Sequence, residues 1–183
     1  MKVAAMSDTT AFRVADLPQN TPTPFDLRPG GTELAALAAA LGVNSLRKLR
    51  FTGEVSARGK RDWQLTAKLG ATVIQDCVVT LEPVTTRIDR PVALTFVAGL
   101  EMPEDAEAEM PEDDSVEALG SHIDPQAVMV EALALAIPDY PRKENAELGT
   151  ANFTEPGREA MTDEDTKPFA GLANLRDQLK KDP

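Results

Sequence analysis

The feature that most constrains this chain is a switch to period-two patterning at residue 49. Leu49, Phe51, Val55 and Ala57 alternate with Arg50, Thr52, Glu54 and Ser56. After Arg58-Gly59-Lys60, Trp63, Leu65, Ala67 and Leu69 alternate with Gln64, Thr66 and Lys68. Successive side chains of a strand point to opposite faces, so each run predicts a strand with one buried and one wetted face. The short connection makes the two runs an antiparallel hairpin. Further extended stretches are read at Ala71–Ile74, Cys77–Leu81, Val84–Ile88 and Val92–Ala98. Strands in succession without helices between them favour an antiparallel sheet over a βαβ repeat.

Two helices frame this sheet. Thr32 can cap a helix through Leu41, with Leu34, Leu37 and Leu41 on one face and Gly42 ending it. Asp124 is a good cap for a second helix, Pro125 suits its first position and Pro138 stops it. Val128, Val130, Leu133, Ala134 and Ile137 give that helix a broad apolar face. Upstream, Phe12-Arg13-Val14 reads as a short strand. Pro18, Pro22, Pro24 and Pro29 then predict an irregular approach. Residues 101–118 carry nine acids and little to bury, which predicts a solvated loop. Beyond Pro141 the chain turns polar, with a short terminal helix expected over Asn174–Lys181.

Charge is unevenly spread. The net charge of −11 arises between Pro91 and Pro141, where twelve acids stand without a Lys or Arg. The rest holds 18 acids against 19 bases. Arg47, Lys48, Arg50, Arg58, Lys60, Arg61 and Lys68 fall within 22 residues, opposed only by Glu54 and Asp62. On the hairpin, Arg58, Lys60 and Arg61 would cluster at the tip, with Arg50 and Lys68 on the outer face. That is a modest phosphate-binding footprint. Phe51 and Trp63 fall on the core side, so base stacking is not indicated. The acidic residues Glu104, Asp105, Glu112, Asp113 and Asp114 offer the opposite chemistry, an electrostatic hook for a basic partner.

Equipped catalytic and metal sites are not evident. One cysteine, Cys77, excludes an internal disulfide framework and cannot build a zinc site. It reads as a buried structural thiol, and the usage fits a reducing cytoplasm. His122 beside Asp124 could form a general base pair, but no nucleophile or oxyanion site accompanies it; a surface or capping role is the plainer reading. The acidic stretch lacks the ligand spacing and glycine turn of a calcium loop. Gly30-Gly31 could hold an anion at a helix start, and a simple turn explains them equally well. No run reaches the roughly 20 apolar residues that span a bilayer. Met1–Thr10 has no apolar core, so no secretory signal is read there.

Three segments in order resemble the YceD family of large-subunit ribosomal RNA accumulation proteins, in the version common to alphaproteobacteria. Gln75-Asp76-Cys77-Val78-Val79-Thr80-Leu81-Glu82-Pro83-Val84 looks like the family's Cys-x-Arg-Cys-Leu-Glu-Pro strand. Glu131-Ala132-Leu133-Ala134-Leu135-Ala136-Ile137-Pro138, continuing through Tyr140-Pro141-Arg142, is similar to its helix with a proline-basic exit. Lys167-Pro168-Phe169-Ala170-Gly171-Leu172-Ala173-Asn174-Leu175 is like its terminal Asn-Pro-Phe-Ala-x-Leu segment. The resemblance implies a role in the synthesis, processing or stability of 23S rRNA, and no known catalytic reaction. Thr80 stands where many members have a second cysteine, and Val79 where they have arginine. A third cysteine after the proline exit is also missing, so a metal or redox role does not carry over.

The expected fold is α+β: an antiparallel sheet over about 46–98, open or barrel-like, packed by helices near 32–41 and 124–137. Residues 12–142 form the domain, with an acidic loop at 100–118; 143–183 form a polar tail. The expected function is a non-enzymatic, cytoplasmic ribosome-biogenesis factor that supports 23S rRNA accumulation, without cofactor, metal or small-molecule substrate. Its partner would be ribosomal RNA or a large-subunit ribosomal protein. The alternative is an acidic interaction module that escorts a basic ribosomal protein. A metal-dependent hydrolase using Asp and Glu pairs is the third reading.

Overall fold

Alternating side chains build a longer hairpin than the first periodic residues define. The computed structural model describes residues 11–100 and 115–147, with residues 154, 155, 157 and 161. All its regular elements precede Glu144, where the chain divides into two units. In order they are β1 (Phe12–Arg13), β2 (Thr23–Leu27), α1 (Gly31–Ala40), β3 (Ser45–Arg58) and β4 (Asp62–Asp76). Then come β5 (Pro83–Val97), β6 (Val116–Ala118), β7 (His122–Ile123) and α2 (Pro125–Ala136). A five-stranded sheet runs β2-β3-β4-β5-β6; β1 and β7 pair separately. Every pairing is antiparallel except β5 with β6. The sheet is open, so the barrel-like option does not hold.

One face of the sheet carries the core. Phe51, Val55, Trp63, Leu65, Leu69, Ala71 and Val73 are at most 1% exposed. Leu37 and Ala38 from α1 join the same cluster, as do Val128, Met129 and Leu133 from α2. Both helices therefore cover the inner face. Truncating a side chain as enclosed as Phe51 to Ala costs about 3–5 kcal/mol in such cores. Gly53 sits opposite Ala67. A Cβ there would lie 2.2 Å from the Thr66 carbonyl oxygen and 2.6 Å from the Ala67 Cα.

A bulge solves a spacing problem in β3. Leu46 and Leu49 are both buried although an odd separation should put them on opposite faces. The register shifts between Arg47 and Arg50, and Lys48 adopts φ 52°. The extra residue turns Leu46 back toward the core.

Several sequence expectations need correction. The proline-rich approach contains β2, an edge strand in which Pro24 needs no ladder N–H. Cys77–Leu81 is a turn, not a strand: the Leu81 N–H reaches the Cys77 carbonyl at 2.9 Å. The stretches at 84–88 and 92–98 merge into β5, and 71–74 continues β4. Helix α1 is capped at Gly30, not Thr32, because Glu33 Oε2 accepts the Gly30 N–H at 2.8 Å. Residues 116–118 of the expected acidic loop form β6; 101–114 lie outside the described residues, as does the expected terminal helix. Helix α2 starts as read, with Asp124 Oδ1 accepting the Gln126 N–H at 2.9 Å. Its buried face uses Met129, while Ala134 is exposed.

Candidate nucleic-acid interface

The basic residues that cluster in sequence separate into two places on the hairpin. Arg50 and Arg58 are eight residues apart on β3, about 27 Å at the usual strand rise. Lys60 and Arg61 are exposed at the turn. Arg58 folds toward β5, where its Nη1 donates to Thr95 Oγ1 at 2.8 Å. Thr95 is itself buried, so the tip is fastened to the body of the sheet.

The second group lies mid-sheet on the outer face. Arg47 is in register with Thr72, Arg50 with Gly70, and Thr52 with Lys68. On the next strand Thr72 faces Arg87, Gly70 faces Asp89 and Lys68 faces Pro91, whereas Arg90 is in register with the buried Leu69 and so stands in an inner-face row. Arg47 and Arg87 therefore share a row, two strands or roughly 10 Å apart. A groove of about 530 Å³ is lined by Arg50, Lys68, Gly70, Arg87, Asp89 and Arg90, among others. An adjoining groove of about 670 Å³ shares Thr52, Lys68 and Pro91 and carries Asp26 and Glu54. Lys48 sits in the bulge and is exposed.

Carboxylates hold two of these guanidiniums in place. Arg50 donates through Nε and Nη2 to Asp26 at 2.9 and 3.0 Å. Arg28 grips the same carboxylate at 2.6 Å. The hydrogen bonds from Arg50 and then Arg28 hold Asp26 well below the usual carboxylate range. Arg87 donates to Asp89 at 2.6 and 2.8 Å, which lowers the Asp89 carboxyl and raises the guanidinium. Gly70 makes room for this pair: a Cβ there would fall 2.8 Å from Arg87 Nη2. Arg87 escapes a sequence reading because, with Asp89 beside it, it looks like part of an ordinary mixed-charge strand.

The other candidates disperse. Asp124 caps α2, while His122 Nδ1 meets Ser121 Oγ at 2.9 Å, so no His–Asp pair is assembled. The Glu33 carboxylate occupies the Gly30 N–H where an anion is conceivable from sequence. Among the described residues no group of three or more His, Cys, Asp and Glu could hold a metal, and no helix is long and apolar enough to cross a membrane. Glu104, Asp105, Glu112, Asp113 and Asp114 lie outside the described residues.

At the opposite end of β4 from the hairpin tip, the 77–82 turn meets the exit of α2. Val78 N–H donates to Pro141 O at 3.0 Å and Gln75 Nε2 to Pro138 O at 3.0 Å. Cys77 is fully buried, and its sulfur accepts the Thr80 and Lys143 N–H groups at 3.5 and 3.4 Å. Lys143 Nζ pairs with Glu82. Two segments distant in sequence thereby become one structural unit.

The family described as large ribosomal RNA subunit accumulation protein YceD matches residues 65–176, well over half of the chain. The chain belongs to the YceD family. Its family description places it with factors for accumulation of large-subunit ribosomal RNA. Neither a search of curated proteins nor one of solved structures found a match. The YceD match runs from Leu65 within β4 past the end of α2, and so includes Lys68, Arg87, Arg90 and the clasp around Cys77. Arg47, Lys48, Arg50, Arg58, Lys60 and Arg61 precede it.

Proposed function

We propose that this YceD protein is a non-enzymatic ribosome-biogenesis factor that supports 23S rRNA accumulation by holding ribosomal RNA against the outer face of its sheet. The observation that carries this reading is a sheet face with ordered cations that neither described helix covers. Both helices pack on the inner side. Arg47, Arg50, Lys68 and Arg87 stand in neighbouring outer rows. Phosphate contacts made by such side chains position a nucleic acid without reading its sequence. Arg58, Lys60 and Arg61 at the tip supply a second contact, and Lys48 in the bulge lies beside the first.

Binding of the purified protein to large-subunit rRNA fragments over a salt series tests the reading. Affinity should fall steeply with salt, because neutralised phosphates release counterions. Charge reversal at Arg58, Lys60 and Arg61 tests the tip; the same at Arg47, Arg50 and Lys68 tests the face. Unchanged affinity in both sets overturns the reading.

A second reading rests on residues 101–114, which hold eight acids. The chain on either side is tied near the hairpin tip: Ala98 N–H donates to Asp62 Oδ1 at 3.0 Å and Thr95 N–H to Ser115 O at 2.7 Å. Such a stretch would engage a basic ribosomal protein and keep it soluble. Pull-down with and without 101–114 separates the two, since equal recovery of basic ribosomal proteins removes this reading.

A further inference from the structure

We propose that the groove over Gly70 receives backbone phosphates of base-paired RNA, and that the protein prefers a ribosomal RNA stem to the same sequence as a single strand. This rests on the RNA-binding reading above and specifies its ligand and its residues.

Three observations carry it. The first is the arrangement of charge. Arg50, Lys68 and Arg87 stand together on the outer face at this groove, with Asp89 held by Arg87 and Asp26 held by Arg50. The second is preorganisation. Arg50 and Arg87 each spend Nε and Nη2 on a carboxylate. Their forks are therefore fixed before a ligand arrives, and the ordering cost on binding is reduced. Gly70 belongs to this device, because its missing side chain is the space that Arg87 occupies.

The third observation concerns what the face lacks. Proteins that bind single strands on a sheet stack bases on exposed aromatic rings. Phe25, Phe51, Trp63 and Phe96, the aromatics of this sheet, are all buried in the core. Among the described residues the outer face instead presents Thr52, Ser56, Gln64, Thr66 and Thr72 between its cations, with Glu54 beside Thr66. Hydroxyls, amides and guanidiniums suit phosphates and 2′-hydroxyls. Those are the groups an A-form helix displays, since its bases are stacked away and its major groove is too narrow to read.

The test uses the full chain, a base-paired stem cut from large-subunit rRNA, and one isolated strand of that stem. At equal salt the stem should bind about tenfold more tightly, since only it offers a fixed array of phosphates and 2′-hydroxyls. Substituting Lys68→Gln and Arg87→Gln together should flatten the salt slope by about 0.9 for each phosphate no longer neutralised. Gly70→Ala is the decisive variant, because it displaces the end of a flexible side chain and leaves the net charge unchanged. It should weaken stem binding several-fold while thermal unfolding stays close to wild type. Equal binding of stem and strand overturns the proposal, as does a folded Gly70→Ala protein with wild-type affinity. Loss of affinity only on charge reversal at the tip would leave RNA binding standing and remove this groove. Failure of the wild type to bind either RNA removes both.

Discussion

The backbone N–H of Lys143 donates to the thiol sulfur of Cys77 at 3.4 Å, across 66 positions of sequence. That bond, with Thr80 on the same sulfur and Glu82 on the Lys143 ammonium, clasps the exit of α2 to the turn between β4 and β5. The segments that resemble the family's cysteine-bearing strand and its helix exit thus meet around the single remaining cysteine.

The clasp predicts a pH signature. Hydrogen bonding from the Thr80 side chain, then from the Lys143 and Thr80 backbones, lowers the Cys77 thiol to about 6 despite burial, from an ordinary 9.0. A group with a depressed folded value adds stability above its unfolded value and loses it as pH falls through the folded one. The stability difference between wild type and Cys77→Ala should therefore grow from about pH 6 to pH 9 and be flat below that window. Thiolate absorbance of the native protein should titrate near the lower figure. A midpoint near 9 would show that the sulfur carries no such bonds in solution.

Gly53 predicts a stability defect with no binding component. A Cβ there meets backbone of the neighbouring strand, the Thr66 oxygen and the Ala67 Cα, which cannot move aside as a side-chain end can. Gly53→Ala should lower unfolding stability by about 3 kcal/mol, the upper part of the range for overpacked interiors. Urea unfolding measures it, and a cost under about 1 kcal/mol would mean the strands are further apart than described. The contrast with Gly70→Ala is direct: the same substitution on one sheet meets backbone at one position and a guanidinium at the other.

Lys48 predicts the opposite sign. At φ 52° it holds a left-handed conformation that suits glycine and strains a side chain by about 1 kcal/mol or more. Lys48→Gly should stabilise the protein by about 0.5–1 kcal/mol, after the extra freedom it gives the unfolded chain. Lys48→Ala keeps the strain and should not stabilise. Both remove the same charge, so both should weaken RNA binding alike. Equal unfolding midpoints for the two variants would remove the bulge as the source of strain.

These positions also mark where the sequence is legible. Period-two runs place Phe51, Val55, Trp63 and Leu65 inward because a strand has no other way to bury them, and the Asp124-Pro125 start of α2 follows from capping chemistry alone. The bulge is not legible, since Leu46 and Leu49 break the period without saying which residue is extra. Strand β2 hides among prolines because a missing N–H matters only on a paired edge. Cys77–Leu81 reads as a strand by composition, yet its geometry is set by Pro141 and Lys143 from across the fold. Arg47, Lys48, Arg50 and Lys68 are visible as a basic run, whereas Arg87 joins them only through the β4–β5 register. Proximity in sequence also misleads: Arg58, Lys60 and Arg61 belong to the run but stand far along the hairpin.

Glu54 supplies a gain-of-function prediction for the same surface. It is exposed on the outer face, in register with Thr66 and Pro24, and lines the groove that adjoins the cationic one. A carboxylate there repels a phosphate backbone that continues past Lys68. Glu54→Gln should strengthen RNA binding slightly, and Glu54→Lys should do so further and steepen the salt slope by about 0.9 if it adds one phosphate contact. Stability should stay within about 0.5 kcal/mol, as for other exposed substitutions. The ordering of the three side chains is the useful readout. A folded Glu54→Lys protein that binds RNA no better than Glu54→Gln would mean the RNA leaves the sheet before this row. A protein that binds worse would mean the carboxylate is itself a contact, and the path of the RNA across the sheet would have to be redrawn.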